Sequence, residues 1–281
     1  MVLYIIACNN GFANLSSNAP TTCLQRSLFC NLGHGEDGDL VAQYTMSEVH
    51  NRLEKHQSFK TDLARSFHEI FTSVNEDLKY RDEIEAIFSG TTACVAILRN
   101  NKITISNVGD SRAVIARRND DGDEKSSLSA IDLSVDQNPD SPEEQARIER
   151  HGGFVSPPPE EGLSARVWLD SDQTQVGLAM SRSIGDHAVK TVGVIADPVV
   201  SEHDVLPNDE FIILGSDGIW EFLSSQDAVN IVLQNFVDGK DASAACEDLI
   251  ESAAMKWREF EGDYRDDITA VIARLDRLLS D

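Results

Sequence analysis

Residues 89–116 read SGTTACVAILRNNKITISNVGDSRAVIA. The run Thr91–Leu98 is β-branched and apolar, Asn100-Asn101 is a turn signal, Lys102–Asn107 alternates, and Ala113–Ala116 is apolar again. Alternation with period two and short turns is the signature of neighbouring antiparallel strands. This stretch sets the fold class, because helices can then only be layered onto a sheet.

The segments on either side supply those helices. From Asp37 to about Tyr80, Leu40, Val41, Tyr44, Val49, Leu53, Leu63, Phe67, Ile70 and Phe71 fall mostly three or four residues apart. That spacing predicts two helices separated near Gln57–Lys60. Downstream, Pro142–His151 reads as a short helix closed by Gly152-Gly153, and Gln226–Phe236 and Ala242–Phe260 as longer ones. Val199–Ser201, Phe211–Leu214 and Ile268–Leu275 read as strands, and Asn119–Ser127 and Pro157–Ala165 as charged or Pro-rich loops. Residues 1–32 show no clear period. The order argues for one α+β layered domain with no internal repeat.

Charge and composition exclude several classes. With 24 basic and 48 acidic residues the net charge is −24, which repels phosphate backbones and anionic membrane surfaces. Neither nucleic acid nor membrane is an expected partner. No run approaches the ~20 apolar residues of a membrane span. The apolar start Val2–Cys8 lacks a basic flank and makes a weak signal peptide at best. Five irregularly spaced cysteines with no CxxC pair suggest reduced thiols and a cytoplasmic or nuclear location.

The chemistry concentrates in aspartates beside glycines or at the ends of apolar runs. Asp110 follows Asn107-Val108-Gly109, Asp217 sits between Gly215-Ser216 and Gly218, and Asp266-Asp267 precedes Ile268. Any one alone reads first as a turn residue, since Asp and Gly are both common in turns. Together, short carboxylates from different strand ends suit a hard cation such as Mg²⁺ or Mn²⁺. The sequence has no P-loop, no phosphatase-type cysteine loop and no Gly-x-Ser-x-Gly, which weakens kinase, NTPase and esterase readings.

Six segments in order then resemble one family. They are Ser89–Ala93 with Asn107–Ala113; Asp136-Gln137-Asn138-Pro139; Glu143-Glu144, Arg147-Ile148 and Gly152-Gly153; Leu178–Asp186; Gly215–Trp220; and Arg265–Thr269. This pattern is similar to the metal-dependent serine/threonine protein phosphatases, the PPM or type 2C family. The resemblance implies a four-layer α-β-β-α sandwich of two antiparallel sheets flanked by helices. It implies hydrolysis of phosphoserine and phosphothreonine on protein substrates by a monomer. Two Mg²⁺ or Mn²⁺ ions would activate the attacking water, with a third, weaker ion. By resemblance Gly33, Asp217 and Asp266 are metal ligands, Asp110 belongs to the third ion, and His34 is the general acid. Asp186 reads as mainly structural.

The match has one sharp edge. The family's Asp-Gly-His-Gly is here Leu32-Gly33-His34-Gly35. Leucine offers no donor where the family places a carboxylate bridging both ions. Upstream, Arg26 is the sole arginine in residues 1–32, and its surroundings do not fit the family's phosphate-clamping arginine. The expected organisation is thus a divergent segment over 1–32, with the family's opening strands not evident, and a phosphatase domain over 33–281. A sequence junction near residue 32 fits the abrupt edge better than gradual loss of function. Two functions follow: a phosphatase impaired at Leu32, or a catalytically dead pseudophosphatase that binds phosphoproteins or another partner.

Overall fold

The computed structural model describes residues 4–8, 11–13, 26–119, 127–159 and 164–275, with side chains from residue 28 onward. Its central feature is the meander predicted from residues 89–116. Strands β6 (Ala93–Arg99), β7 (Lys102–Val108) and β8 (Arg112–Arg118) follow one another, but the chain changes sheet between β7 and β8. β6 and β7 pair antiparallel in one sheet, while β8 pairs with β14 (Asp209–Gly215) in the other.

The first sheet has the order β13-β7-β6-β3-β1-β2, where β13 is Val199–Asp204, β3 Arg26–Cys30, β1 Tyr4–Cys8 and β2 Gly11–Ala13. The second has the order β15-β14-β8-β9, with β15 at Ala270–Arg274 and β9 at Leu128–Asp132. Period-two alternation assigns each strand's two faces. Leu28, Cys94, Ala96 and Ile105 of the first sheet meet Ala113, Ile115, Ile212, Leu214 and Val271 of the second in one buried layer. Their neighbours face outward to helices. Phe29, Val95 and Ile97 pack under α1 (Gly38–Leu53) and α2 (Leu63–Leu78). Val114, Ala116, Phe211, Ile213 and Ile272 pack under α6 (Ser225–Val237) and α7 (Ala242–Glu261). The layers therefore run α-β-β-α, as expected.

Helix limits follow local chemistry. Asp62 caps α2 by accepting from the Arg65 amide at 2.9 Å, and Ser224 and Asp227 form a capping box on α6. Along α2, buried Leu63, Phe67, Ile70, Phe71, Val74 and Leu78 make the apolar stripe. The remaining helices are α3 (Pro142–Arg150) and two single turns, α4 (His187–Lys190) and α5 (Asp217–Trp220).

Three features differ from the sequence reading. Residues 1–32 lack a legible period, yet β3 is a central strand, paired parallel to β1 and antiparallel to β6. β9 and the hairpin of β10 (Phe154–Ser156) and β11 (Arg166–Trp168) lie where only loops or nothing was expected. A small sheet of β12 (Ile184–Gly185), β5 (Gly90–Thr91) and β4 (Gly33–His34) was likewise not anticipated. Residues 120–126 and 160–163, inside the two expected loops, lie outside the described residues.

Candidate active site

The small sheet brings distant motifs into contact. β5 is central: His34 and Gly185 both face Gly90 in register. Asp186 follows in a left-handed conformation at φ 49°, which turns its carboxylate back across the sheet. Its two oxygens lie 3.0 and 2.9 Å from His34 Nε2. Gly90 permits this approach, since a Cβ there would sit 1.9 Å from Asp186 Oδ2. Burial pulls the His34 pKa down, but the Asp186 charge and hydrogen bond outweigh it and hold the imidazole above its ordinary value. Asp186 is correspondingly lowered: burial raises it, and the His34 pairing more than offsets that. Lys190 completes the group. It donates to the Ser183 carbonyl at 2.7 Å, and burial lowers its pKa to about 8. Asp186 thus has a specific partner, beyond the structural role read from sequence.

The aspartates converge from three other elements. Asp110 follows β7 and is buried, and its Oδ1 has no hydrogen-bond partner. Asp217 opens α5, where its Oδ1 accepts from the Gly218 amide at 2.9 Å. Asp266 precedes β15, where its Oδ1 accepts from the Asp267 amide at 2.7 Å. Burial is the largest influence on all three and raises each pKa, Asp110 to about 7. Neighbouring carboxylates add to this: Asp136 and Asp266 raise Asp110, Asp110 and Asp266 raise Asp217, and Asp267 raises Asp266. Buried like charges within mutual reach are costly without a counter-ion.

Hydrogen bonds from the other motifs fix these segments. Ser216 Oγ accepts from the Thr269 amide at 3.0 Å and donates to the Asp267 carbonyl at 3.1 Å, tying the two aspartate turns together. Trp257 Nε1 on α7 donates to the Gly218 carbonyl at 2.7 Å. Gln137 clamps the approach to Asp110: its Oε1 accepts from the Gly109 amide at 2.6 Å and its Nε2 donates to the Asn107 carbonyl at 3.0 Å. Arg112 forks onto Asp136, 2.5 Å at the closest, and lies over the Trp220 ring. A cleft of about 260 Å³ results, lined by Asp110, Arg112, Asp136, Asp217, Trp220 and Glu221 among others. Sequence reasoning singled out Asp110 and Asp217. It missed Arg112, whose only signal was membership of the Asn107–Ala113 motif, and Glu221, which lies just past the Gly215–Trp220 motif.

Gly33 and Leu32 stand at the edge of this group. A Cβ on Gly33 would lie 1.9 Å from the Gly38 carbonyl oxygen, so glycine is required for the strand to pass the start of α1. The Leu32 side chain is 5% exposed. Its carbonyl accepts from Thr91 Oγ1 at 2.9 Å and from the Thr92 amide at 3.0 Å.

The donor chemistry suits a hard divalent cation: carboxylate oxygens that raise the pKa of Asp110 and Asp217, with the buried Asp110 Oδ1 unpartnered. The set is not closed around an ion. Among the described residues no three His, Cys, Asp or Glu side chains form a metal-holding group, and Leu32 contributes no donor.

Comparison with known proteins gives the family. The family model for protein phosphatase 2C matches residues 9–258. The chain belongs to the protein phosphatase 2C family. This is a family of serine/threonine phosphatases that depend on metal in general. A probable protein phosphatase 2C of Oryza sativa subsp. japonica is 35% identical over 246 residues, 88% of this chain and 48% of that protein. One of Arabidopsis thaliana is 33% identical over 272 residues, covering 89% and 72% respectively. The chain spans about half the length of the first of these relatives. Among solved structures, a serine-threonine phosphatase 2C from Toxoplasma gondii superposes with a TM-score of 0.74 at 22% identity, covering 88% of this chain and 84% of that one. A C. elegans sex determining protein gives 0.67 at 17% identity, over 89% of this chain and 56% of that one. Both establish likeness of fold. Among the described residues, no helix is long and apolar enough to cross a membrane.

Proposed function

We propose that this chain hydrolyses phosphoserine and phosphothreonine on proteins, using Mg²⁺ or Mn²⁺, at a rate held down by Leu32. One observation carries the reading: three aspartates from separate elements, each with its pKa raised chiefly by removal from water, lie within electrostatic reach of one another or of a histidine–aspartate pair. The phosphatase domain is taken as 33–281, with β3 of the preceding segment completing its first sheet through β6.

Asp217, Asp266 and the Gly33 carbonyl would hold the cation, with Asp110 serving a further, weaker ion. Such an ion supplies an activated water and neutralises charge on the phosphoryl group. The chain's own residues do the rest. Asp186 engages His34 Nε2, which leaves Nδ1 as the ring nitrogen that donates a proton to the departing serine or threonine oxygen. A raised pKa keeps that acid protonated to higher pH than an ordinary imidazole. Gln137 and Ser216 hold the aspartate turns so that little reorganisation accompanies the reaction.

Leu32 favours a second reading. Its buried side chain removes one anion from the expected set, and the described side chains do not close around an ion. A domain of this kind would bind phosphoproteins without turnover. A manganese-dependent assay on a small aryl phosphate separates the two. Mn²⁺-dependent turnover that Asp217→Asn abolishes is expected of the phosphatase. No turnover at any Mn²⁺ concentration would leave the binding module.

A further inference from the structure

The proposed substrate is a phosphorylated side chain within a longer polypeptide, so its flanking residues must cross the surface beside the cleft. Trp220 and Glu221 line that cleft, and the next residue, half-buried Phe222, begins a row of rings. Phe222 stacks on Phe260 with centroids 5.0 Å apart and planes at 12°, and meets Trp257 edge-on at 4.8 Å. Trp257 in turn meets Tyr264 edge-on at 5.8 Å. Trp257 is buried and anchored to Gly218, but Phe260 and Tyr264 are 59% and 64% exposed. Tyr264 lies two residues before Asp266. The row therefore adjoins the candidate site at Phe222 and at Tyr264, with Phe260 at its outer end. Exposed rings already fixed by their neighbours bind with little further ordering cost.

Charge identifies what fits the row. Over residues 256–267 there are five carboxylates (Glu259, Glu261, Asp263, Asp266, Asp267) against three cations (Lys256, Arg258, Arg265). Glu221 adds a sixth carboxylate, and Lys256 is itself paired to Glu259 at 2.8 Å. The Lys256 ammonium lies 5.5 Å from the centre of the Phe260 ring, so the row already accommodates one cation on a ring face. Aromatic faces rimmed by carboxylates attract guanidinium and ammonium groups.

We propose that this aromatic ledge receives an arginine or lysine flanking the phosphorylated residue, making basic phosphopeptides the preferred substrate class. The inference rests on the phosphatase reading for its substrate and on the ledge for its selectivity. The test uses fluorescence anisotropy in Mn²⁺ with two phosphoserine peptides of equal length, one flanked by arginines and one by glutamates. The unphosphorylated arginine peptide is the third probe. The arginine phosphopeptide should bind about tenfold tighter than the glutamate one. Phe260→Ala with Tyr264→Ala should erase most of that gap, and Tyr264→Phe should keep it. Turnover of an aryl phosphate, which has no flanking residues, should be unchanged in both variants. Equal binding of the two phosphopeptides, or a gap that survives the double substitution, would overturn the ledge. Equal binding of the unphosphorylated arginine peptide would also overturn it, as a surface uncoupled from the cleft. Absence of aryl phosphate turnover in the unsubstituted chain counts against the phosphatase reading alone, since the binding comparison is read without it.

Discussion

Asp186 grips His34 Nε2 with both oxygens, and so sets how long the imidazole keeps its proton as pH rises. The His34 pKa is raised in the fold, so the acid form survives to higher pH than a free histidine would. Asp186→Asn removes the charge and keeps the shape. It should move the alkaline limb of the pH–rate profile to lower pH and slow phosphoserine turnover by about 100-fold. An aryl phosphate has a better leaving group, needs the acid less, and should lose far less. Equal loss on both substrates would assign Asp186 a merely structural role. The residues of this pair were legible singly: His34 from its motif, Asp186 from another 152 positions away. Their contact was not, because it depends on a left-handed residue at 186 and on the absence of a Cβ at Gly90. Asp110 and Asp217 were legible as candidate ligands through their glycine neighbours. The clamping role of Gln137 was hidden, because its bonds go to backbone atoms that any sequence would provide.

At the scale of elements, α3 is tied to the loop before β12 by a buried ion network. Glu144 accepts from Arg147 at 2.8 Å, from Arg182 at 2.7 Å and from Ser181 Oγ at 2.5 Å. Burial alone would raise the Glu144 pKa, but the bonds from Arg182, Arg147 and Ser181 outweigh it and hold the carboxyl at about 2. A depressed pKa stabilises the fold above the unfolded value near 4.5, and that contribution fades as pH falls toward 2. Glu144→Gln should therefore cost about 3 kcal/mol at pH 7 in urea unfolding, with the two proteins converging in stability near pH 2. A cost below about 1 kcal/mol at pH 7 would show that the network is not a stabilising one. α1, α2, α6 and α7 were readable from three- and four-residue spacing because each buries one continuous stripe. β9, β10 and β11 were not, being only three to five residues long and half-exposed. β3 escaped for a different reason: residues 1–32 carry no legible period, and its place is fixed by pairing with β6 some 68 positions away.

For the whole molecule, the layer between the sheets unites the chain. Ile212 is 1% exposed there, on a strand that carries Asp217 two residues beyond its end. Ile212→Ala should destabilise by about 2–5 kcal/mol, in a single cooperative transition, because both sheets share that layer. Separate transitions would show that the sheets unfold independently. The four layers could be expected from the order of helices and strands together with the family resemblance. The sheet change between β7 and β8 could not, since apolar alternation is the same on either side of it.

On the proposed reading, the aspartate group is a metal site short of one anion at Leu32. The most direct measurement is an Mn²⁺ titration of aryl phosphate turnover, run on this chain and on Leu32→Asp side by side. Slow turnover that needs high Mn²⁺ is expected of the chain as it stands. Leu32→Asp should turn over faster, at an Mn²⁺ concentration about tenfold lower. Strong turnover with Leu32 in place and no gain from the aspartate would contradict that reading.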